Sequence, residues 1–386
     1  MKFKKRIEIL IKKNSFFQAL YSFFGSLFFR FIGLFIKQNK KMILFSSYGG
    51  DSINDSPKVI YDYIKKHYDG YYCVWVVNNP ENRILEDVKY VTVDTFKYFI
   101  ACLKAKYWVT NVNIERGLHF KKKKTFYLNT WHSTTVKTIG NQVKGRKDYN
   151  FKNINLLCSD GSFMTNIFVK YFNAPSKSIF ECGRPREDEL FEKNGLEERE
   201  RILKKYNINN NSFVVLYAPT WKDTNGREDL LSVSLNLNKL IELVDKNIII
   251  LFKTHHLTKN ASGVVFNESI IDVSDCQNIN ELYFAADVLI SDYSSCFFDF
   301  GLLEKPIICF APDLEEYERS RGLCVDLRND FPGGVIFDEK VLALRIMDLM
   351  NNDSVFLIEQ KRFMCKYLSR PSNSSTEFCV KKMFEQ

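Results

Sequence analysis

The 386-residue chain predicts an α/β protein: two doubly wound, Rossmann-like parallel-sheet domains facing a cleft, preceded by an amphipathic helix. Three observations predict it. Short runs rich in Val, Ile, Tyr and Phe alternate with helical stretches, the pattern of parallel strands joined by crossover helices. The alternation occurs in two series, separated by a charged helical stretch (186–206) and the polar run 207–212. Composition is ordinary for a globular protein, at 45% apolar, 26% charged and 15% aromatic, which excludes disordered, collagen-like and low-complexity chains.

The first fifty residues hold ten Lys/Arg against Glu8, and the remainder is balanced, so the whole net charge of +9 sits on one segment. A nucleic-acid binder carries its excess charge on a folded domain, so no nucleic acid is expected. Within the segment, 14–36 is the most apolar stretch of the chain, and Arg30 ends its uncharged run after 16 residues. A bilayer-crossing helix needs about 20 apolar residues. No small-residue cleavage site follows, as a secretory signal requires. The stretch reads as a helix lying in an anionic membrane surface, Phe and Leu dipped in and Lys and Arg facing headgroups. The alternative is an aromatic helix packed on the protein's own core.

Strands are expected at 41–47, 71–77, 88–93, 105–111, 125–131, 153–160 and 178–183, then at 213–219, 247–255, 286–292 and 305–311. A helix at 56–68 starts with Ser56 as N-cap and Pro57 in its first turn. This divides the chain into a membrane-associating segment (1–40), a first α/β domain (41–190), a second (205–353) and a helical tail (354–386). The ten cysteines form no CxxC, and most lie in apolar runs such as 155–160 and 306–311. They read as buried free thiols rather than a zinc site or a disulfide framework.

In such folds chemistry sits beyond the carboxyl ends of the strands, and polar residues cluster there five times. Trp131 and His132 end one strand, and Ser133 or Thr134 would cap a following helix; His132 is either a general base or a structural imidazole. Arg184 and Arg186 in "GRPRED" either grip phosphate or pair with Glu187 and Asp188. Pro219 and Thr220 turn the chain after a strand. Lys253, Thr254, His255 and His256 end an apolar strand, as a diphosphate leaving group would require. Ser294 and Ser295 open a helix whose free amides suit an anion, and Asp299 lies one turn further on the same face. GxGxxG, P-loop, GxSxG and DxD signals are absent, so dehydrogenase, nucleotidase, hydrolase and metal-dependent sugar-transferase readings lack support; no metal and no cofactor is expected.

In order, "FSSYGGDSINDSPK", "TWHSTTVKTIG", "GRPRED", "YAPTWKD", "FKTHH", "ADVLISDYSSCFFDF" and "DLEEYERSRG" resemble the CDP-glycerol glycerophosphotransferase family, which builds teichoic-acid and related polyol-phosphate polymers. The resemblance covers about residues 41–350. It implies a GT-B architecture and a bacterial enzyme peripheral to the cytoplasmic face of the cell membrane. It implies transfer of glycerol phosphate from CDP-glycerol to an undecaprenyl-diphosphate-linked glycan or polyol-phosphate acceptor, with release of CMP. It places donor contacts at Trp131, His132, Ser133, Thr134, Thr135, Arg186, Pro219, Thr220, Thr254, His255, His256, Ser294, Ser295 and Asp299. His132 is then the base and His255 assists at the phosphates. The sequence departs from the family pattern where Ser133 replaces Gly, Thr135 replaces Pro and His256 replaces Pro, and "GRPRED" stands for "GYPRND". These turns leave CDP-ribitol open as the donor, and a GT-B nucleotide-sugar glycosyltransferase is the rival reading. The length suits a primase-like or capsule-type enzyme. A base with the ordinary histidine pKa predicts a rate that falls below about pH 6.5.

Overall fold

The structure, a computed structural model, describes residues 15–79, 81, 83–86, 88–144, 146, 149–220, 234–245, 247–254, 264–351, 354–369 and 374–385. The eleven expected strands are present. The first sheet contains β1 (Asn39–Ser46), β2 (Tyr72–Val77), β3 (Lys89–Thr92), β4 (Ala105–Thr110), β5 (Phe126–Asn129), β6 (Leu156–Cys158) and β7 (Ile179–Phe180). They pair parallel throughout, in the order β3-β2-β1-β4-β5-β6-β7. The second sheet contains β8 (Phe213–Tyr217), β9 (Ile248–Phe252), β10 (Ile270–Asp272), β11 (Val288–Ser291), β12 (Ile307–Phe310) and β13 (Val335–Ile336), parallel in the order β10-β9-β8-β11-β12-β13.

Both sheets explain their sequences. A parallel sheet is covered on both faces, so its central strands are apolar without alternation. Ile43, Leu44 and Phe45 of β1 and Val288, Leu289 and Ile290 of β11 are fully buried. In each sheet the strand order reverses once, between β1 and β4 and between β8 and β11. Such reversals leave an opening beyond the carboxyl ends of the strands.

The chain divides into two units. The first is Met1–His132, Ile139–Asp188 and Arg370–Gln386; the second is Ser133–Thr138 and Glu189–Ser369. The C-terminal helix, Ser375–Phe384, therefore belongs to the first unit. Asp188 caps it from a distant segment: its carboxylate accepts from Ser375 N (3.1 Å), Thr376 N (2.8 Å) and Thr376 Oγ1 (2.6 Å). Ser375 Oγ donates to the Cys182 carbonyl at 2.6 Å. Below this cap Cys379, Val380 and Met383 enter the first unit's core, and Phe384 stacks on Tyr71 at 4.3 Å.

The N-terminal helix runs from Ser15 to Phe35 and is long and apolar enough, by length and composition, to cross a membrane. One of its faces is nonetheless docked on the first unit. Ser26 Oγ accepts from His119 N (2.8 Å), Arg30 Nε donates to the His119 carbonyl (2.6 Å), and Phe29 stacks on Phe99 (4.2 Å). Gly25 lets the helix close on Leu118, since a Cβ there would lie 2.9 Å from the leucine. Lys122, in the run Lys121–Lys124, donates to the Ile36 carbonyl just past the helix end. The opposite face leaves Phe16, Phe23, Phe24, Leu27, Phe28 and Phe31 exposed.

Loss of a buried acceptor strands its donors, at about 1–3 kcal/mol. Asp188→Ala is expected to lower unfolding stability by about that amount, read as a shifted urea midpoint at unchanged slope. A shift within error would show that the C-terminal helix does not depend on this cap.

Candidate functional site

In the first unit polar groups gather at the β1/β4 reversal. β4 ends at Thr110, and Asn111 follows with its carbonyl aimed at His132. His132 Nδ1 lies 2.8 Å from that oxygen. A carbonyl only accepts, so Nδ1 carries the proton and Nε2 is left as the acceptor. The ring is half-buried between Trp131 (4.3 Å) and the edge of Tyr48 (5.7 Å). Trp131 adopts φ +51°, a left-handed conformation that costs a bulky residue about 1–2 kcal/mol. Asn129 Oδ1 accepts its N–H at 2.8 Å, and Phe151, Phe168 and Phe172 enclose its indole. The strained residue thereby fixes where the next side chain, His132, stands.

Burial lowers the His132 pKa to about 4. The Asn111 hydrogen bond and the Asp55 carboxylate oppose this, while Arg186 and Arg184 reinforce it. The imidazole is therefore neutral across the physiological range. Beside it, Arg186 Nη1 pairs with Asp55 Oδ2 at 2.6 Å, and Tyr48 Oη donates to the same oxygen at 2.7 Å. Burial pushes the Asp55 carboxyl up, but Arg186, Tyr48 and the Ser56 amide outweigh it and hold the pKa below its ordinary value. Arg184 is fully buried and pairs with Asp160 and Glu187.

In the second unit the corresponding reversal is tied by Asp292. Its Oδ1 accepts from Thr220 N (2.8 Å) and Tyr293 N (2.6 Å), joining the ends of β8 and β11. Ser291 Oγ donates to the Ala218 carbonyl, next to Pro219. The Ser294 hydroxyl accepts from Cys296 N (3.3 Å) at the start of the helix Cys296–Gly301, and Asp299 lies buried along that helix. Tyr293 stacks on Tyr317 at 3.7 Å and donates to Asp313 at 2.9 Å. After β9, Lys253 Nζ donates to the Ser274 carbonyl (2.9 Å) and the Thr254 and Ser274 hydroxyls meet at 2.8 Å. Burial and Arg321 both lower the pKa of Lys137, against Asp292, so two cations converge near the Asp292 turn.

Among the described residues, Asn111 Nδ2, Trp131 Nε1 and Thr220 Oγ1 are buried polar atoms without a hydrogen-bond partner. Buried polar groups are normally satisfied, so these three mark unfilled bonding capacity just past β4, β5 and β8.

The family signature described as CDP-Glycerol:Poly(glycerophosphate) glycerophosphotransferase matches residues 27–385. The chain belongs to this family. It is accordingly a glycerophosphotransferase of teichoic acid synthesis. It is 29% identical to the Staphylococcus aureus teichoic acid glycerol-phosphate transferase, over 90% of this chain and 94% of that protein. It is 33% identical to the Bacillus spizizenii teichoic acid poly(glycerol phosphate) polymerase, over 87% and 89%. It spans only 46% of the Staphylococcus epidermidis polymerase. Among solved structures it resembles the wall teichoic acid polymerase TagF, with TM-score 0.81 and 26% identity over 96% of this chain and 98% of that one. A TagF variant soaked with CDPG superimposes with TM-score 0.79 and 26% identity, again over 96% and 98%.

Set against the positions expected for this family, Trp131, His132 and Arg186 lie together in the first unit. Pro219, Thr220, Thr254, Ser294, Ser295 and Asp299 lie at or just past the strand ends of the second. Ser133, Thr134 and Thr135 also belong to the second unit. His255 and His256 lie outside the described residues. No helix follows His132. Residues 133–139 are irregular instead, with a bend at Val136, Lys137 bridging Leu323 and Cys324 N donating to the Val136 carbonyl at 2.8 Å. Pairing with that distant segment outcompetes local capping in the β-branched run Thr134–Val136. Tyr48, Asp55 and Asn111 were not singled out from the sequence. The first two lie in the quoted "FSSYGGDSINDSPK" run, and Asn111 ends a predicted strand; nothing local marks any of the three as partners of His132 or Arg186.

With burial lowering the His132 pKa to about 4, the acid limb is expected below pH 6.5 rather than at it. For the free enzyme, kcat/KM reports the base before substrate binds. It is expected to stay near its neutral value down to about pH 5.5 and to fall only towards pH 4, where His132 protonates. An acid limb with its midpoint near 6.5 would show an ordinary, water-exposed imidazole.

Proposed function

We propose that the protein transfers glycerol phosphate from CDP-glycerol to a hydroxyl of a membrane-linked glycan or polyol-phosphate acceptor and releases CMP. The observation that carries this reading is the Nδ1–H bond from His132 to the Asn111 carbonyl, which leaves Nε2 as the ring's proton acceptor. The CDPG-soaked TagF variant supports the choice of donor.

An acceptor hydroxyl gives its proton to His132 Nε2 as its oxygen attacks the β-phosphorus. The bond from that phosphorus to the bridging oxygen breaks, and CMP departs with the electron pair. A positioned base contributes on the order of 10²–10⁴-fold. The remainder comes from stabilising negative charge on the diphosphate. For that role the reading assigns Arg186, whose guanidinium Asp55 orients, together with Lys253 and the backbone amides around Ser294 and Ser295. His255 is assigned to the phosphates from sequence alone. Trp131, Ser133, Thr134, Thr135, Pro219, Thr220, Thr254, His256 and Asp299 complete the donor contacts.

With CDP-glycerol and a lipid-linked acceptor, His132→Ala is expected to cut CMP release by on the order of 10²-fold or more. The donor-induced rise in melting temperature should persist, because the base makes little ground-state contact. Near-normal turnover by this variant would remove His132 as base. Turnover of CDP-ribitol or a UDP-sugar in place of CDP-glycerol would reassign the donor.

The enzyme is also read as peripheral to the cytoplasmic face of the cell membrane. The exposed Phe/Leu face of the N-terminal helix dips into the lipid surface, while its opposite face holds the first unit. Each basic residue near an anionic surface adds about 1 kcal/mol. The full chain is expected to co-sediment with anionic vesicles in a salt-sensitive way. Phe24→Glu with Phe28→Glu should abolish this without lowering the melting temperature, because both side chains are exposed. Undiminished binding by that variant would refute the placement.

A further inference from the structure

Three cysteines from three separate segments meet in the core of the first unit. Cys158 ends β6, Cys182 follows β7, and Cys379 lies on the C-terminal helix. Their sulfur atoms all lie within 4.8 Å of one another, and those of Cys158 and Cys379 are 3.4 Å apart. A disulfide needs about 2.05 Å, so this pair is little more than an ångström from bonding distance. The three differ in access. Cys158 and Cys379 are 1% and 0% exposed, whereas Cys182 is 8% exposed.

Their chemistry differs in the same sense. The neighbouring Cys158 and Cys379 sulfurs lower the Cys182 pKa to about 5, against burial; as a thiol, Cys182 Sγ donates to the Gly183 carbonyl at 3.5 Å. The contacts with Cys182 and Cys379, with burial, raise Cys158; at Cys379 the Cys158 contact lowers the pKa, but the Cys182 contact and burial outweigh it. The most accessible sulfur is thus also the best nucleophile, because attack on a disulfide needs a thiolate.

We propose that these three thiols are an oxidation site: a small-molecule disulfide is captured at Cys182 and the cross-link comes to rest between Cys158 and Cys379. In the first step the Cys182 thiolate attacks the small disulfide, forming a mixed disulfide and expelling one thiolate. In the second, Cys379 loses its proton and attacks the Cys182 sulfur, forming Cys182–Cys379 and expelling the second thiolate. In the third, Cys158 loses its proton and attacks the Cys379 sulfur. This leaves Cys158–Cys379 and returns Cys182 as the thiolate that began the sequence. The two protons released by Cys158 and Cys379 go to the two expelled small thiolates. The net change is one small disulfide reduced to two thiols and one protein disulfide formed.

Among the described residues three potential ligand atoms gather here, one fewer than the four a closed structural zinc site uses, whereas a disulfide needs only two. The bond would join residues 221 positions apart and fasten the C-terminal helix to β6.

The test uses the full chain, folded, incubated with oxidised glutathione and then denatured, alkylated and digested. The expected product is a peptide pair containing Cys158 and Cys379, lighter than the reduced peptides by two hydrogen atoms. Excess reductant should reverse it. Cys182→Ala should slow its formation by about tenfold or more, and the cross-linked protein should melt higher by on the order of 5 °C. Full alkylation of all three thiols after oxidation would overturn the proposal. So would glutathione attached only to the exposed Cys365. One equivalent of zinc or copper in the purified protein, lost in Cys158→Ala, would overturn it in favour of a metal centre.

Discussion

The carbonyl of Asn111 decides what His132 is able to do. By taking the Nδ1 proton it fixes the tautomer, the ring orientation and the free nitrogen together. The rest of the first unit serves to keep that carbonyl and that ring in register. β4 and β5 are neighbours in the sheet, with Thr110 opposite Asn129, so Asn111 and His132 emerge from adjacent strands at the same edge. A one-residue slip in either strand would turn one of the two groups to the opposite face. β4 and β5, mostly buried along their length, guard against such a slip only weakly through pattern. The aromatic nest around Trp131 and the Asn129 side chain supply the missing specificity.

Charge is arranged around this bond in an ordered way. Two arginines in one short motif have different duties. Arg184 is sealed inside with Asp160 and Glu187 and holds the loop, while Arg186 is held by Asp55, itself oriented by Tyr48. Both push His132 towards neutrality. Cationic surroundings keep the imidazole neutral at the expense of its basicity, and they suit an anionic ligand. The second unit repeats the principle with Asp292, which binds the ends of two strands through their amides and leaves Lys137 and Arg321 nearby.

Much of this was legible in the sequence, for physical reasons. Strands buried on both faces are apolar runs with sharp polar ends, so their existence and the positions of His132, Arg186, Thr220, Thr254 and Ser294 could be read directly. β10 and β13 are not among the expected strands. The partners of His132 escaped because an asparagine carbonyl looks like any other until the fold places it. The helix expected after His132 failed for a similar reason: capping is a local preference, and it lost to pairing with residues 322–325. The lowering of the His132 pKa is not legible in the sequence because burial, its main cause, is a property of the folded chain. Packing of the N-terminal helix on the protein's own core was the alternative the sequence left open, and one face does so, with Ser26 and Arg30 finding their partners at His119.

The return of the C-terminal helix to the first unit has a consequence for biosynthesis. Cys379, Val380 and Met383 are part of the first core, yet they are translated after the whole of the second unit. Chains usually fold from the N-terminus as domains leave the ribosome. Here the first-made sheet must wait with a gap in its core until the final helix emerges, while the later-made second unit is free to finish before it. The order of completion is the reverse of the order of synthesis, and a nascent chain stalled before residue 375 would expose an unfilled apolar surface.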